Sequence, residues 1–149
     1  MFAILGSPVQ TFIDAVKAAL EADAELMALI EGVFGHVSEA ARVDYPYLVL
    51  GHRHLDDGRA RSMGVDGGQV SLMLDGWSDH KGASQMQAIC SRVRQVLERK
   101  NLRVAPFSLM AGSLHCEFED VFDEPDEDAP TKKLYHGVQR WVAELDGAS

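Results

Sequence analysis

The sequence predicts one α+β domain over residues 1–149, in which a mostly antiparallel sheet of four to five strands carries two main helices on one face. The chain has 149 residues, 46% hydrophobic and 25% charged, which is typical of a single globular domain. Two separate stretches have apolar residues at helical spacing. In the stretches between and after these helices, apolar and polar residues alternate as they do in strands. Two of the predicted strands flank a glycine-bearing hairpin. Segregated helices and a hairpin together indicate helices covering one face of an antiparallel sheet.

The first helix is predicted to begin near residue 7. Ser7 fits the cap of a capping box, Pro8 the first helical position, and Gln10 the residue that reaches back to the cap. The apolar residues that follow recur at helical spacing: Val9, Phe12, Ile13, Val16 and Leu20. A second, short helical stretch is predicted to begin at Asp23 and to end at Gly32.

The second main helix has the clearest periodicity in the chain. Ser78 or Asp79 can cap it, and Asn101 can end it. Its apolar face comprises Met86, Ile89, Cys90, Val93, Val96 and Leu97. A basic cluster lies on the opposite face and just beyond the helix: Arg92, Arg94, Arg99, Lys100 and Arg103. We interpret this cluster as a solvated surface, or one that forms salt bridges with an acidic neighbour, rather than as a phosphate site.

Strands are predicted in the remaining apolar stretches. Residues 33–37 form a short strand, Tyr45–Leu55 a longer one that starts at or near Pro46, and Gln69–Trp77 the most regularly alternating one. Between the last two, residues 56–68 are predicted to form a long hairpin loop, because they contain several glycines among charged residues.

The C-terminal third is predicted to contain two more strands. The alternation of Phe107–Phe118 changes at Gly112, which predicts a bulge or a bend there. Lys133–Glu144 is predicted to be the last strand, with a helix as the alternative. The acidic segment between them, which contains Pro125 and Pro130, is predicted to be a loop.

The charge of the chain is concentrated in one segment. Residues 117–128 contain eight acids and no base, so that removing them from the net charge of −9 leaves −1 for the rest. An acidic chain does not attract a phosphate backbone, so the composition argues against a high-affinity nucleic-acid binder. No stretch approaches the roughly 18 to 20 apolar residues of a membrane span, so no membrane partner is expected. The two cysteines, Cys90 and Cys116, are expected to be reduced and packed.

The stretch LGHRHLDDG, residues 50–58, is one residue away from the H-x-H-x-D-H zinc motif of metallo-β-lactamase-type hydrolases. Asp57 stands where that motif has its last histidine. His52 and His54 share one strand face, and the other histidines have no recognisable ligand spacing. The sequence also contains no nucleophile elbow or phosphate loop. We therefore predict no catalytic residues, no metal site and no cofactor, and keep a small metal-dependent hydrolase as a minor alternative.

Several segments together resemble the tail-completion family of long-tailed bacteriophages, prophages and gene transfer agents, the tail terminator or tail-to-head joining proteins. The resemblance covers roughly residues 10 to 145. It is carried by the run ADAELMALIEG, by Pro46-Tyr47 before a hydrophobic strand, by Trp77-Ser78 closing the next strand, and by the helix with Val93-Arg94 before Leu97.

The resemblance implies a structural virion protein assembled in the bacterial host cytoplasm and placed at the head–tail junction. Its partners would be copies of itself in a six-fold ring, the major tail-tube protein, the head-completion or stopper protein of the connector, and DNA as passing cargo. A different adaptor of the same neck, a head-completion or stopper protein, is the alternative.

Interaction residues are predicted on charged segments, since ring contacts join two different patches. They are Arg59, Arg61, Arg92, Arg94, Asp123, Glu124 and Asp126. One hypothesis pairs the acidic segment with basic residues of an adjacent subunit or of the tube. A competing hypothesis places the acids in the channel, where they would repel DNA and keep it sliding.

Overall fold

A six-stranded mixed sheet with helices on one face forms the part of the chain that the structure describes. The computed structural model describes residues 8–35, 44–55, 68–125 and 133–146, with the backbone alone for 52–55. The fold class is α+β, as predicted. The predicted hairpin loop at 56–68 lies, except for Gly68, outside the described residues.

Three helices are present in the described residues: α1 (Pro8–Glu21), α2 (Ala24–Met27) and α3 (Ser84–Leu97). The five apolar residues predicted to form the core face of α1 are its buried residues, which confirms that helix. Asp23 caps α2 by accepting a hydrogen bond from the Leu26 backbone N–H at 2.9 Å. That short helix ends before Leu29, whose side chain is 40% exposed.

The start of α3 differs from the prediction. Ser78 is the last residue of a strand and not a helix cap; its hydroxyl contacts Oε1 of Gln85 and accepts a hydrogen bond from the His80 backbone. The N-cap position is Ala83, which makes no side-chain capping bond. The helix also stops at Leu97, before Asn101, and Arg99 follows it with a φ of 59°. The predicted apolar face is confirmed: Met86, Ile89, Cys90, Val93 and Leu97 are buried, and Val96 is half-buried against the core.

The strands are β1 (Val33–Phe34), β2 (Tyr47–Leu55), β3 (Gly68–Ser78), β4 (Ser108–Leu109), β5 (His115–Pro125) and β6 (Lys133–Asp146). The order is β1-β2-β3-β6-β4, and β5 pairs with β6 on the same edge as β4. All pairs are antiparallel except β1 with β2, so the sheet is mixed. β6 confirms the predicted last strand and excludes the helical alternative.

Two expectations for the C-terminal third are wrong. Phe107–Phe118 is not one strand: β4 and β5 are separated by a turn in which Gly112 takes a φ of 73°. The acidic segment up to Pro125 is not a loop, because β5 continues through it. An edge strand has one side open to solvent and tolerates acids there, and Pro125 falls at its end, where no further ladder bond is lost.

The core lies between the helices and one sheet face. Val70, Leu72 and Leu74 of β3 and Trp141 of β6 are fully buried on that face. Buried Gln139 connects three elements there: its side-chain amide nitrogen, Nε2, donates to the Cys90 carbonyl at 3.0 Å and to Oε1 of Glu119 at 2.6 Å. Its Oε1 accepts the Trp141 indole N–H at 2.9 Å. These bonds satisfy the amide and fix β5 against α3 and β6.

Candidate interaction surfaces

The sheet face opposite α1 and α3 carries a row of rings that crosses four strands. Tyr47 of β2 is directly opposite Trp77 of β3, Trp77 is opposite His136 of β6, and His136 is opposite Phe122 of β5. We call these four residues the aromatic row. Because residues in direct register share a face, the row runs perpendicular to the strands. Phe34 makes an edge contact with Tyr47 at one end of the row.

His136 contacts two rings of the aromatic row and two carboxylates. Its ring stacks on Trp77, with centroids 3.9 Å apart, and is tilted against Phe122 at 4.9 Å. Nε2 lies 2.7 Å from Oδ1 of Asp75, and Nδ1 lies 3.2 Å from Oε1 of Glu124. Burial disfavours the charged form of the imidazole and so lowers its pKa. The hydrogen bonds to the two carboxylates favour the charged form more strongly, and the pKa of His136 is raised. His136 therefore joins β3 to β5 by charge as well as by packing.

The outer side of β5 is the most exposed apolar surface among the described strands. Phe118 is 51% exposed and Phe122 37% exposed, and both point to the face of the aromatic row. Exposed Asp120 lies between them. Within the described residues β5 pairs with β6 alone, so its other edge is open. We call Phe118, Asp120 and Phe122 with this open edge the β5 surface.

Two of the three acids predicted as interaction residues, Asp123 and Glu124, are already paired within the chain. A carboxylate oxygen of Asp123 lies 3.3 Å from Nζ of Lys133, and Glu124 contacts His136. Asp120 instead accepts a hydrogen bond from the Val121 backbone at 2.9 Å and has no cationic partner among the described residues. Asp126 lies outside the described residues. Exposed ion pairs are weak, about 0–1 kcal/mol, so the pairing of Asp123 does not prevent it from contacting a partner.

The predicted basic residues of α3 are also paired. Arg92 donates from Nε and Nη2 to the two carboxylate oxygens of Asp23, each at 2.8 Å. Arg94 lies 3.7 Å from Glu119. The acidic neighbour expected for this helix face therefore comes from the same chain in both cases. Arg59 and Arg61 lie outside the described residues, so their predicted role stays a prediction.

The remaining basic residues of the predicted cluster follow α3 directly and are exposed. Arg99 donates to the Gly112 carbonyl at 2.6 Å, which places it on the turn that contains 47%-exposed Met110. Lys100 and Arg103 are exposed and make no ion pair within the described part of the chain. We call Arg99, Lys100, Arg103 and Met110 the basic end. The sequence identified its cations as part of a cluster but gave no sign that Arg99 lies on the turn that contains Met110, which depends on the fold.

The histidines give no support to a metal site in the described ranges. The side chains of His52 and His54 lie outside them, although the backbone of both belongs to β2. His115 bonds the Ser113 carbonyl through Nδ1 at 2.8 Å. Across those ranges, no cluster of three or more His, Cys, Asp and Glu side chains is arranged to hold a metal ion. None of the described helices combines the length and the hydrophobicity of a membrane span.

Comparison with known proteins identifies the family. The sequence profile described as tail completion protein gp17 matches residues 14–143. A chain of the structure titled "Virion of native gene transfer agent (GTA) particle" is similar in fold, with a TM-score of 0.72 and 21% identity; the match covers 91% of this chain and 94% of that one. The structure of bacteriophage SPP1 gp17 protein gives a TM-score of 0.56 and 19% identity, covering 95% and 93%. No curated protein matches.

At these identities the two structures establish the fold, and the profile establishes the family. The profile spans most of the chain, which confirms the resemblance deduced from the sequence. The chain therefore belongs to the family of tail completion protein gp17, whose members are structural, non-enzymatic components of the virion tail.

Proposed function

We propose that copies of this chain close into a hexameric ring on the last ring of tail-tube subunits. The ring ends tube polymerisation and presents its other side to the head-completion or stopper protein of the connector. DNA passes through the central channel. Membership of a tail completion family supports the general role, and the ring, the capping of the tube and the channel are the parts that we add.

One observation carries this proposal: the chain has two different exposed surfaces of opposite character. The β5 surface combines two exposed phenylalanine rings with the Asp120 carboxylate, and the basic end combines Met110 with three cations. A closed ring is built from such heterologous contacts, in which each copy meets its neighbour through a different patch. Exposed apolar side chains rimmed by charge are typical of protein contact sites.

The open edge of β5 also argues against a simple two-fold dimer. β5 contains five acids, Glu117, Glu119, Asp120, Asp123 and Glu124. Two such strands side by side would bring like charges together, which natural proteins use to block pairing of sheet edges. A partner for this edge must therefore present a different and less acidic surface. A neighbour in a ring meets that requirement, whereas a symmetric β5–β5 contact does not.

The mass of the purified protein, alone and mixed with its tail-tube protein, tests the proposal. We expect a hexamer, either free in solution or formed on the end of assembled tubes, where it stops further growth. A mixture in which the protein stays monomeric and tubes grow to the same lengths as without it would contradict the proposal. Omitting the tube protein shows whether the ring forms before it docks.

A further inference from the structure

We propose that the β5 surface of one copy docks on the basic end of the next copy. This inference rests on the proposed ring and specifies its subunit contact. It concerns described residues alone: Phe118, Asp120 and Phe122 on one side, and Arg99, Lys100, Arg103 and Met110 on the other.

The two surfaces lie along the same side of β6 and are offset along that strand. The β5 surface is opposite β6 from His136 to Arg140, while the backbone N–H of Met110 donates to the Glu144 carbonyl. From Glu144, β6 rises by about 13 Å to Arg140 and about 26 Å to His136, at roughly 3.3 Å per residue. Most of the β5 surface therefore lies away from the Met110 turn of its own copy. A neighbouring copy can bring its basic end to this surface, and because the two surfaces differ, the same contact can repeat from copy to copy.

The backbone of the basic end is anchored to the rest of the fold on both sides. Arg99 is fixed by its side-chain bond to Gly112 and by its backbone N–H, which donates to the Leu114 carbonyl at 2.8 Å. Val104 is buried, and its carbonyl accepts the Phe107 N–H at 3.0 Å. Between these anchors, residues 100–103 cross the surface without helix or strand, with Lys100 and Arg103 exposed. A surface that is already ordered loses little entropy when it binds.

The charged side chains that have no partner within the described residues are of opposite sign on the two surfaces. Asp120 has no cation, and Lys100 and Arg103 have no acid, within the described residues. The side chains of Glu119 and Asp123 alternate to the other face of β5. Both are paired within the chain, Glu119 with Gln139 and Arg94 and Asp123 with Lys133. Such charges steer association and fix its register more than they add to affinity. The apolar part of the contact is supplied by Phe118 and Phe122 on one copy and by Met110 on the other.

A charge exchange tests the contact in solution or on tubes. Asp120→Lys and Arg103→Glu are each expected to raise the concentration needed for half-assembly by on the order of tenfold, because each places like charges across the contact. The double variant Asp120→Lys/Arg103→Glu restores the opposite pairing and is expected to assemble like the wild type. Asp14→Lys, an exposed reversal on α1, is the matched control and is expected to have no effect. Equal assembly of the single variants and the wild type would overturn the inference.

Disulfide trapping in assembled particles gives a second test that separates the contact from the ring. Particles built with the variant Asp120→Cys/Arg103→Cys are expected to yield linked multimers under oxidation, whereas Asp14→Cys/Arg103→Cys yields none. If the first variant stays unlinked while a lysine-reactive crosslinker still joins neighbouring copies, the ring stands and the proposed contact is wrong. If that crosslinker joins no copies in tailed particles, the ring itself is wrong.

Discussion

The imidazole of His136 lies flat on the indole of Trp77, with centroids 3.9 Å and planes 13° apart. The same imidazole contacts Asp75 of β3 and Glu124 of β5. A charged imidazole on an aromatic face gains from the ring quadrupole as well as from the carboxylates. This contact links the edge strand β5, which carries the proposed subunit contact, to the centre of the sheet.

The contribution of His136 to stability is expected to fall as the pH rises. Its folded-state pKa is raised above the ordinary value of about 6.5, so its stabilising effect is complete below that pH and is lost as the pH passes the raised pKa. Denaturant unfolding of the wild type and of His136→Gln measures this. The difference in unfolding free energy should be larger near pH 5.5 than near pH 9. A difference that grew with pH would contradict the assignment, and His80→Gln, at an exposed position, is the control.

The Arg92–Asp23 pair is expected to make stability fall in acid. The hydrogen bonds from Arg92 and from the Leu26 backbone lower the pKa of Asp23 to about 2. The stabilising effect of ionised Asp23 is therefore present above its unfolded pKa of about 3.9 and is lost as the pH falls toward 2. Asp23→Asn, which keeps a capping side chain, should lower stability near neutral pH and converge with the wild type in acid. Glu25→Gln, which removes a 75%-exposed partner of Arg92, should change stability little.

Gly137 is expected to reject any side chain. A Cβ there would lie 2.7 Å from Cγ of Met86 and 3.0 Å from Sγ of Cys90. Because Met86 and Cys90 are both buried, Gly137→Ala overpacks the helix–sheet contact and should cost about 1–3 kcal/mol in unfolding free energy. Gly51→Ala, in β2, meets no atom closer than 4.0 Å and is the matched control. Equal stability of the two variants would show that Met86 can move aside at no cost.

Cys90 is expected to be unreactive in the folded protein. Burial raises the pKa of its thiol to about 12, and its side chain is 1% exposed. In a Cys116→Ser variant, a thiol reagent should label no protein at mildly alkaline pH until denaturant is added. Rapid labelling of the native variant would mean that α3 separates from the sheet far more often than its packing indicates.

The sequence predicted the interior of this fold better than its edge. Val9, Phe12 and Ile13 of α1, and the buried residues of α3, follow from periodicity because each helix has one buried stripe. Only the start of β5, up to Phe118, was predicted as strand. The rest was predicted as a loop, because an edge strand is exposed on its open side and its acids and Pro125 have the composition of a loop. The start of α3 was misplaced because Ser78, a good cap by type, completes β3 instead.

The candidate surfaces could be predicted only in part. The cations of the basic end were visible as a cluster, but the position of Arg99 beside Met110 depends on the β4–β5 turn. The aromatic row could not be predicted, since it joins Tyr47, Trp77, His136 and Phe122 through the registers of three strand pairs. Those registers are set by long-range packing, which a single sequence does not reveal.

The lengths of tails in particles produced without this chain test the central claim most directly. Because we propose that the chain caps the tube, it should be needed for tails of uniform length that are attached to filled heads. Electron micrographs of particles lacking it should show tubes of variable length and separated heads, and supplying the protein should restore the normal particle. Tails of normal length, firmly attached to filled heads in its absence, would contradict the account.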